Sequence, residues 1–339
     1  MKKTRFLLTI FFLTGFHALK AQFDAQLSNY WAAINYFNPA YAGQTGTLDA
    51  TLQSRIQWLG IENAPRSTIV TAQLPYSLLG RVHGFGASMY NDRRGLFSVT
   101  EYSGQYAWKK KMLKGEFSIG IQGGYLNQSF DGTKVEIPED DYHDQSDEAI
   151  PTSLVSGSSI DAAFGIFFSK TKWFAGLSVN HILAPTLELG DNYEFEIPRQ
   201  YYFVAGHNIQ LSNPLLELRS TLLVKTMEMS SLYLDGDSLV EKVETNTMKA
   251  MLRNTQVDVS VRVIYNKQLW GGLAWRKGDA LTLLLGGKFK MIEVGYAYDF
   301  PISLIRKEST GSHEVFVRYS MDIDLNKKTK NKHKSVRIL

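Results

Sequence analysis

The chain has 339 residues, 44% of them hydrophobic and 21% charged, with 27 glycines, no cysteine and a formal net charge of +4. Without cysteine it holds no disulfide scaffold, thiolate zinc site, cysteine nucleophile or lipid-anchored N-terminal cysteine, and no stretch beyond residue 20 reaches the ~18 consecutive apolar residues of a spanning helix. A soluble β protein and a transmembrane barrel both stay open, because alternating strands keep mean hydropathy low; the 17 Tyr, 19 Phe and 6 Trp lean toward β structure.

The first element in chain order is a secretory leader. Lys2, Lys3 and Arg5 precede the apolar run Phe6–Phe16, and cleavage is expected after Ala21. Export without disulfides suits a Gram-negative envelope. The formal charge is unevenly placed. Removing the leader's four positive charges and the six of the tail (Lys327, Lys328, Lys330, Lys332, Lys334 and Arg337) leaves −6 over residues 22–325. An acidic body with a short basic tail does not imply nucleic-acid binding.

Residues 22–46 precede the strands and are rich in aromatics. They contain Asn38-Pro39-Ala40-Tyr41, where proline fixes its own φ and biases Asn38 toward extended backbone. This segment is read as a plug, a periplasmic cap or a plain arm packed under the barrel. Asn38, Pro39, Ala40, Tyr41 and the later Trp58 are its candidate plug or partner-binding residues.

From Thr47 the pattern has period two. Val257, Val259, Val261 and Val263 alternate with Gln256, Asp258, Ser260 and Arg262; Leu48, Ala50 and Leu52 alternate with Asp49, Thr51 and Gln53. The same template predicts strands at 47–58, 66–75, 82–90, 97–108, 116–126, 160–168, 172–181, 200–210, 215–225, 255–265, 268–277, 280–289, 290–299 and 313–322. Connections after the even strands are mostly short, with 76–81 and 109–115 the longest; those after odd strands are often long, as at 127–159, 182–199, 226–254 and 300–312. Short turns at one end and long loops at the other describe an all-β, antiparallel outer-membrane barrel of about 14 strands, spanning 47–322, with extracellular loops and both chain ends in the periplasm. Trp58, Tyr90, Trp108, Trp173, Tyr201, Tyr202, Trp270, Tyr296, Tyr298 and Tyr319 lie near strand ends, as interfacial girdles require.

The 127–159 loop carries eight acids, among them Asp131, Glu136, Glu139, Asp140 and Asp141. It reads as a solvated acidic loop or as a cargo-facing surface; it lacks EF-hand spacing. The basic tail at 323–339 reads as a free tail or a dock for an acidic periplasmic face. Asp49, Arg55, Glu217, Arg219, Asp258, Arg262, Arg276, Glu314 and Arg318 fall on the lumen side, where they either pair and close the lumen or set passage selectivity. No nucleophile elbow, zincin motif, P-loop or dinucleotide fingerprint is present, so the sequence predicts no enzyme, metal or cofactor.

Six sequence features occur in order: Asn38-Pro39-Ala40-Tyr41-Ala42-Gly43; Arg55-Ile56-Gln57-Trp58-Leu59-Gly60 with Ala64-Pro65-Arg66; Ala175 to His181; Trp270-Gly271-Gly272-Leu273-Ala274-Trp275-Arg276; Gly295-Tyr296-Ala297-Tyr298-Asp299; and Gly311-Ser312-His313-Glu314-Val315. Together they resemble the PorP/SprF family of type IX secretion outer-membrane proteins of Bacteroidota, over residues 22–322. The resemblance implies a role in exporting proteins with a C-terminal signal domain, including gliding adhesins, and contact with outer-membrane lipid and a periplasmic lipoprotein ring. The basic tail departs from the family pattern. An outer-membrane transporter of the fatty-acid-channel type is the alternative, since that class also places an Asn-Pro-Ala-like segment in a plug.

Overall fold

The computed structural model describes residues 26–78, 81–135, 151–190, 193–228, 230–235, 238–243 and 254–323. The leader, the acids from Glu136 to Glu148 (Glu139 among them) and the basic tail lie outside the described residues.

Alternation of apolar and polar residues produces fourteen strands in one closed antiparallel barrel. They are β1 (Thr47–Ile56), β2 (Arg66–Leu78), β3 (Arg81–Arg94), β4 (Phe97–Met112), β5 (Gly115–Asp131), β6 (Leu154–Ser169) and β7 (Trp173–Asn180). The second half is β8 (Gln200–Gln210), β9 (Leu216–Met227), β10 (Gln256–Tyr265), β11 (Leu269–Arg276), β12 (Ala280–Phe289), β13 (Ile292–Pro301) and β14 (Ser312–Asp322). Each strand pairs with its sequence neighbours, and β14 closes on β1 from Thr47↔Asp322 to Ile56↔His313. Closure leaves no free edge along the ladder, the condition for a sheet in lipid.

The expected strands are all present, several of them longer. The wall at β4, β5 and β6 extends well past the expected ends at Trp108, Leu126 and Ile160. Apolar alternation lapses there (Asn127 to Ser129, Ser156 to Ser159), yet the ladder Asp131↔Leu154 to Glu116↔Ser169 runs through it unbroken. The parity of connections holds. After even strands the longest connection is 211–215, whereas 132–153, 181–199 and 228–255 follow odd strands; 95–96 and 277–279 are short exceptions at the loop end. Two small hairpins, 186–196 and 230–243, sit within the long loops. Among the described residues no helix is long and apolar enough to cross a membrane.

The two faces of the wall differ as lipid and lumen require. On β1, Leu52 is 50% exposed on the outside while Gln53 and Arg55, at 1% and 2%, point inward. Leu273, Leu281, Leu283, Leu285, Val294 and Val317 continue the outer apolar band. Three aromatics assigned to the interfacial girdles are corrected: Tyr90, Tyr202 and Trp270 are buried inside the barrel. Each finds an aromatic partner there, which outweighs the girdle preference of a ring near a strand end.

Candidate functional site

A polar-walled barrel with an apolar interior cluster requires something to cover that cluster. Residues 26–46 do so. Leu27, Tyr30, Ile34, Tyr36, Phe37 and Ala40 are all buried, packed with the inward residues Ile69, Tyr90, Phe167, Tyr202, Val204 and Leu223 of strands around the circumference. The segment therefore runs through the barrel interior. It is built from short turns, Tyr30–Ala32, Ile34–Phe37 and Pro39–Tyr41, with no regular element long enough to hold itself. Its conformation is set by the wall.

Four sets of wall contacts hold it. The first is a charged clasp around Ser28. Glu314 accepts from the Ser28 N–H at 2.7 Å, the Asn29 N–H at 2.6 Å, Asn29 Nδ2 at 2.9 Å and Gln53 Nε2 at 2.7 Å. The Ser28 hydroxyl donates to Asp299, which also pairs with Arg55 at 2.7 Å and Arg276 at 3.3 Å. Arg276 in turn meets Asp258 at 2.7 Å and the Leu27 carbonyl at 3.0 Å. Arg55, Arg276, Asp258, Asp299 and Glu314 are all at most 4% exposed, so this is a desolvated network whose members depend on one another.

The second contact is Trp31. The Arg262 guanidinium lies 3.4 Å from its ring centroid, while Trp270 and Phe316 meet it edge-on at 5.2 and 5.3 Å. Arg318 donates to the Ala32 carbonyl at 2.6 Å and pairs with Glu293 at 3.3 Å. A cation–π contact shielded from water stabilises by about 2 kcal/mol.

The third is Tyr30, whose hydroxyl donates to the Thr221 carbonyl at 2.6 Å.

The fourth is the Asn38-Pro39-Ala40-Tyr41-Ala42-Gly43 motif. Asn38 Oδ1 accepts from the Ala40 N–H at 2.9 Å, capping the turn, and its Nδ2 donates to the Ile166 and Leu177 carbonyls at 3.1 and 3.2 Å. The wall beneath is glycine for steric reasons. A Cβ on Gly120 would sit 2.2 Å from Ala40 N, and one on Gly84 would sit 1.9 Å from the Ala42 carbonyl oxygen. Tyr41 packs edge-on against Phe167.

The structure thus brings Asn38, Pro39, Ala40 and Tyr41 together on the inner wall and leaves Trp58 apart. Trp58 lies in the loop after β1, at the end of the barrel opposite Tyr41, with its N–H on Ser312 Oγ at 3.0 Å. The lumen charges read from sequence are largely paired: Arg55 and Glu314, Arg276 and Asp258, Arg219 and Glu217. Ser28, Asn29, Trp31 and Asp299 were not singled out from sequence as functional, although Asp299 shares the inward parity of Gly295 and Ala297. Among the described residues no cluster of His, Asp and Glu could hold a metal.

A sequence model described as type IX secretion system membrane protein PorP/SprF matches residues 19–319. The chain belongs to the PorP/SprF family. No curated protein sequence matches it. Among solved structures it is similar to the toluene transporter TodX of Pseudomonas putida (10% identity, TM-score 0.45, 88% of this chain and 95% of that one). It is also similar to the CymD monoaromatic hydrocarbon channel (11%, 0.47, 86% and 93%) and to a Pseudomonas aeruginosa FadL homologue (11%, 0.43, 82% and 89%). As a PorP/SprF barrel with a lipid-like outer face, the protein belongs in the outer membrane as a component of type IX secretion.

Proposed function

We propose that this PorP/SprF protein is a non-enzymatic outer-membrane component whose lumen is plugged by its own residues 26–46, and which works by binding at its two ends. The turn end and basic tail face the periplasmic lipoprotein ring. The long loops, including the acidic loop that contains Glu139, meet exported C-terminal-signal proteins or adhesins. One observation supports closure over passage. Arg55, Arg276, Asp258, Asp299 and Glu314, inward charges that would line a conducting pore, are satisfied by each other and by the segment at 2.6–3.5 Å. Charged groups can set passage selectivity only where water and solute reach them.

Affinity purification from native envelope, with the retained proteins identified by mass spectrometry, tests the binding role. Retention of periplasmic type IX lipoproteins is expected; their absence at native expression level would reject it.

A second reading, uptake of small apolar solutes, is favoured by one feature. A cavity of about 280 Å³ near the loop end is lined by Phe97, Leu126, Phe195, Ile197 and Met227. Uptake of a hydrophobic tracer by proteoliposomes, above that of empty vesicles, would favour this reading.

A further inference from the structure

We infer, from the barrel alone and not from the secretion role, that residues 26–46 traverse the barrel from its loop end to its turn end, so that Gln26, the first residue of the segment, lies on the side of the long loops. Gln26 thereby lies at the rim opposite the one expected for both chain ends.

The two ends of the segment are tied to opposite rims. Odd strands run from turn end to loop end and even strands return, so every residue has a known height. Gln26 meets Gln256 at 3.2 Å and Gln57 at 3.5 Å. Gln256 opens β10 after the longest loop, and Gln57 directly follows the loop end of β1. At the other limit Gln44 donates to Ser169 Oγ at 2.6 Å and accepts from Lys109 Nζ at 2.7 Å. Ser169 ends β6 and Lys109 lies three residues from the end of β4, both at the rim of short turns. Gly46 then leads into Thr47, which pairs with Asp322 at that same rim.

Between these limits the contacts do not descend evenly. Ser28 is at the height of Glu314 and Asp299 near the loop rim, and Trp31 reaches down to Trp270. The chain rises again where Phe37 meets Tyr202, and Ala40 to Gly43 descend past Gly120 and Gly84 to the turn rim. The crossing is folded rather than straight, but its entry and exit are on opposite rims.

The clasp around Ser28 consequently lies close to the outer mouth. A recess of about 250 Å³ there is lined by Gln26, Gln57, Gln256, Lys277 and Asp279, and Asp279 itself touches Arg276 of the clasp at 3.1 Å. Gln26 and the side chains that hold Ser28 lie toward the loop side. The β1 end of the segment is covalently fixed at the turn side.

Absence of cysteine makes the test direct, because each introduced thiol is unique. Q26C, N63C in the loop after β1 and L113C in the turn after β4 are expressed separately in cells. Each is treated with a membrane-impermeant maleimide before and after permeabilisation. Q26C is expected to label together with N63C, whichever side N63C reports, and apart from L113C. Labelling of Q26C with L113C would overturn the inference. A short epitope inserted between Ala25 and Gln26, read by antibody on intact and permeabilised cells, decides the matter if the Q26C thiol is shielded in both states. Detection on the N63C side supports the crossing; detection on the L113C side refutes it. An inverted N63C and L113C pattern would instead contradict the outer-membrane orientation and leave this test intact.

Discussion

Glu314→Ala is the sharpest perturbation of the contacts that hold residues 26–46 against the wall. In the wild type this carboxylate is fully buried and accepts four hydrogen bonds from the segment and Gln53 at 2.6–2.9 Å, two of them from the backbone N–H groups of Ser28 and Asn29. Hydrogen bonds to a charged group contribute about 1.5–3 kcal/mol each. They are not additive here, because Arg55 and Gln53 share the same carboxylate. Removing one partner of a buried ionic network costs about 3–5 kcal/mol. Most of that loss falls on the docked segment, since the β1–β14 ladder keeps its backbone pairing. At ~1.4 kcal/mol per decade this moves the ratio of released to docked segment by roughly 10²- to 10³-fold. The assay is conductance of single barrels in a planar bilayer, with heat-modifiable migration on gels to confirm that the variant is folded. A folded E314A barrel is expected to show openings that are rare or absent in the wild type. A folded E314A barrel with wild-type conductance would refute the clasp as the element that holds the segment.

Other expectations follow from the same contacts. Trp31→Ala removes the ring beneath Arg262 and should cost about 3–5 kcal/mol, seen as a lower urea midpoint by tryptophan fluorescence. Gly120→Leu should drive Ala40 off the wall, because even a Cβ there would sit 2.2 Å from Ala40 N; faster proteolysis after Tyr41 in purified barrels is the readout. Asn38→Ala loses the turn cap, about 0.5–2 kcal/mol, together with its two carbonyl contacts, and should show raised hydrogen exchange over residues 38–43. Leu273→Arg places a cation on the apolar outer face, at a cost of about 2–4 kcal/mol near the bilayer midplane, and should lower the yield of folded barrel in vesicles.

Most of the barrel was legible in the sequence because one physical constraint writes it. Lipid outside and a polar lumen inside impose period two, and Val257 to Tyr265 or Leu48 to Ile56 can satisfy it only as strands. The three misread aromatics had the needed signal in the same period. Trp270 is in phase with Arg276, Tyr90 with Asp92 and Tyr202 with Gln200, all inward, whereas distance from the strand end does not distinguish the two faces. The interior segment was harder to read. Residues 26–46 have no period, since short turns take their shape from contacts with residues up to 286 positions away. Asn38 to Gly43 was visible as a motif, but its role depended on Gly84 and Gly120 facing it from two strands. Ser28 and Asn29 carry no local signature at all; their importance comes from Glu314 and Asp299, which only the closed barrel brings to them.

Export itself tests the account most directly. The gene would be deleted in the native bacterium and complemented with the wild-type chain, and C-terminal-signal proteins in the medium and on the cell surface would be quantified by mass spectrometry. The account predicts that at least one such protein is lost from the outside, accumulates in the periplasm and is restored on complementation. Unchanged export of every C-terminal-signal protein in the deletion strain would contradict it.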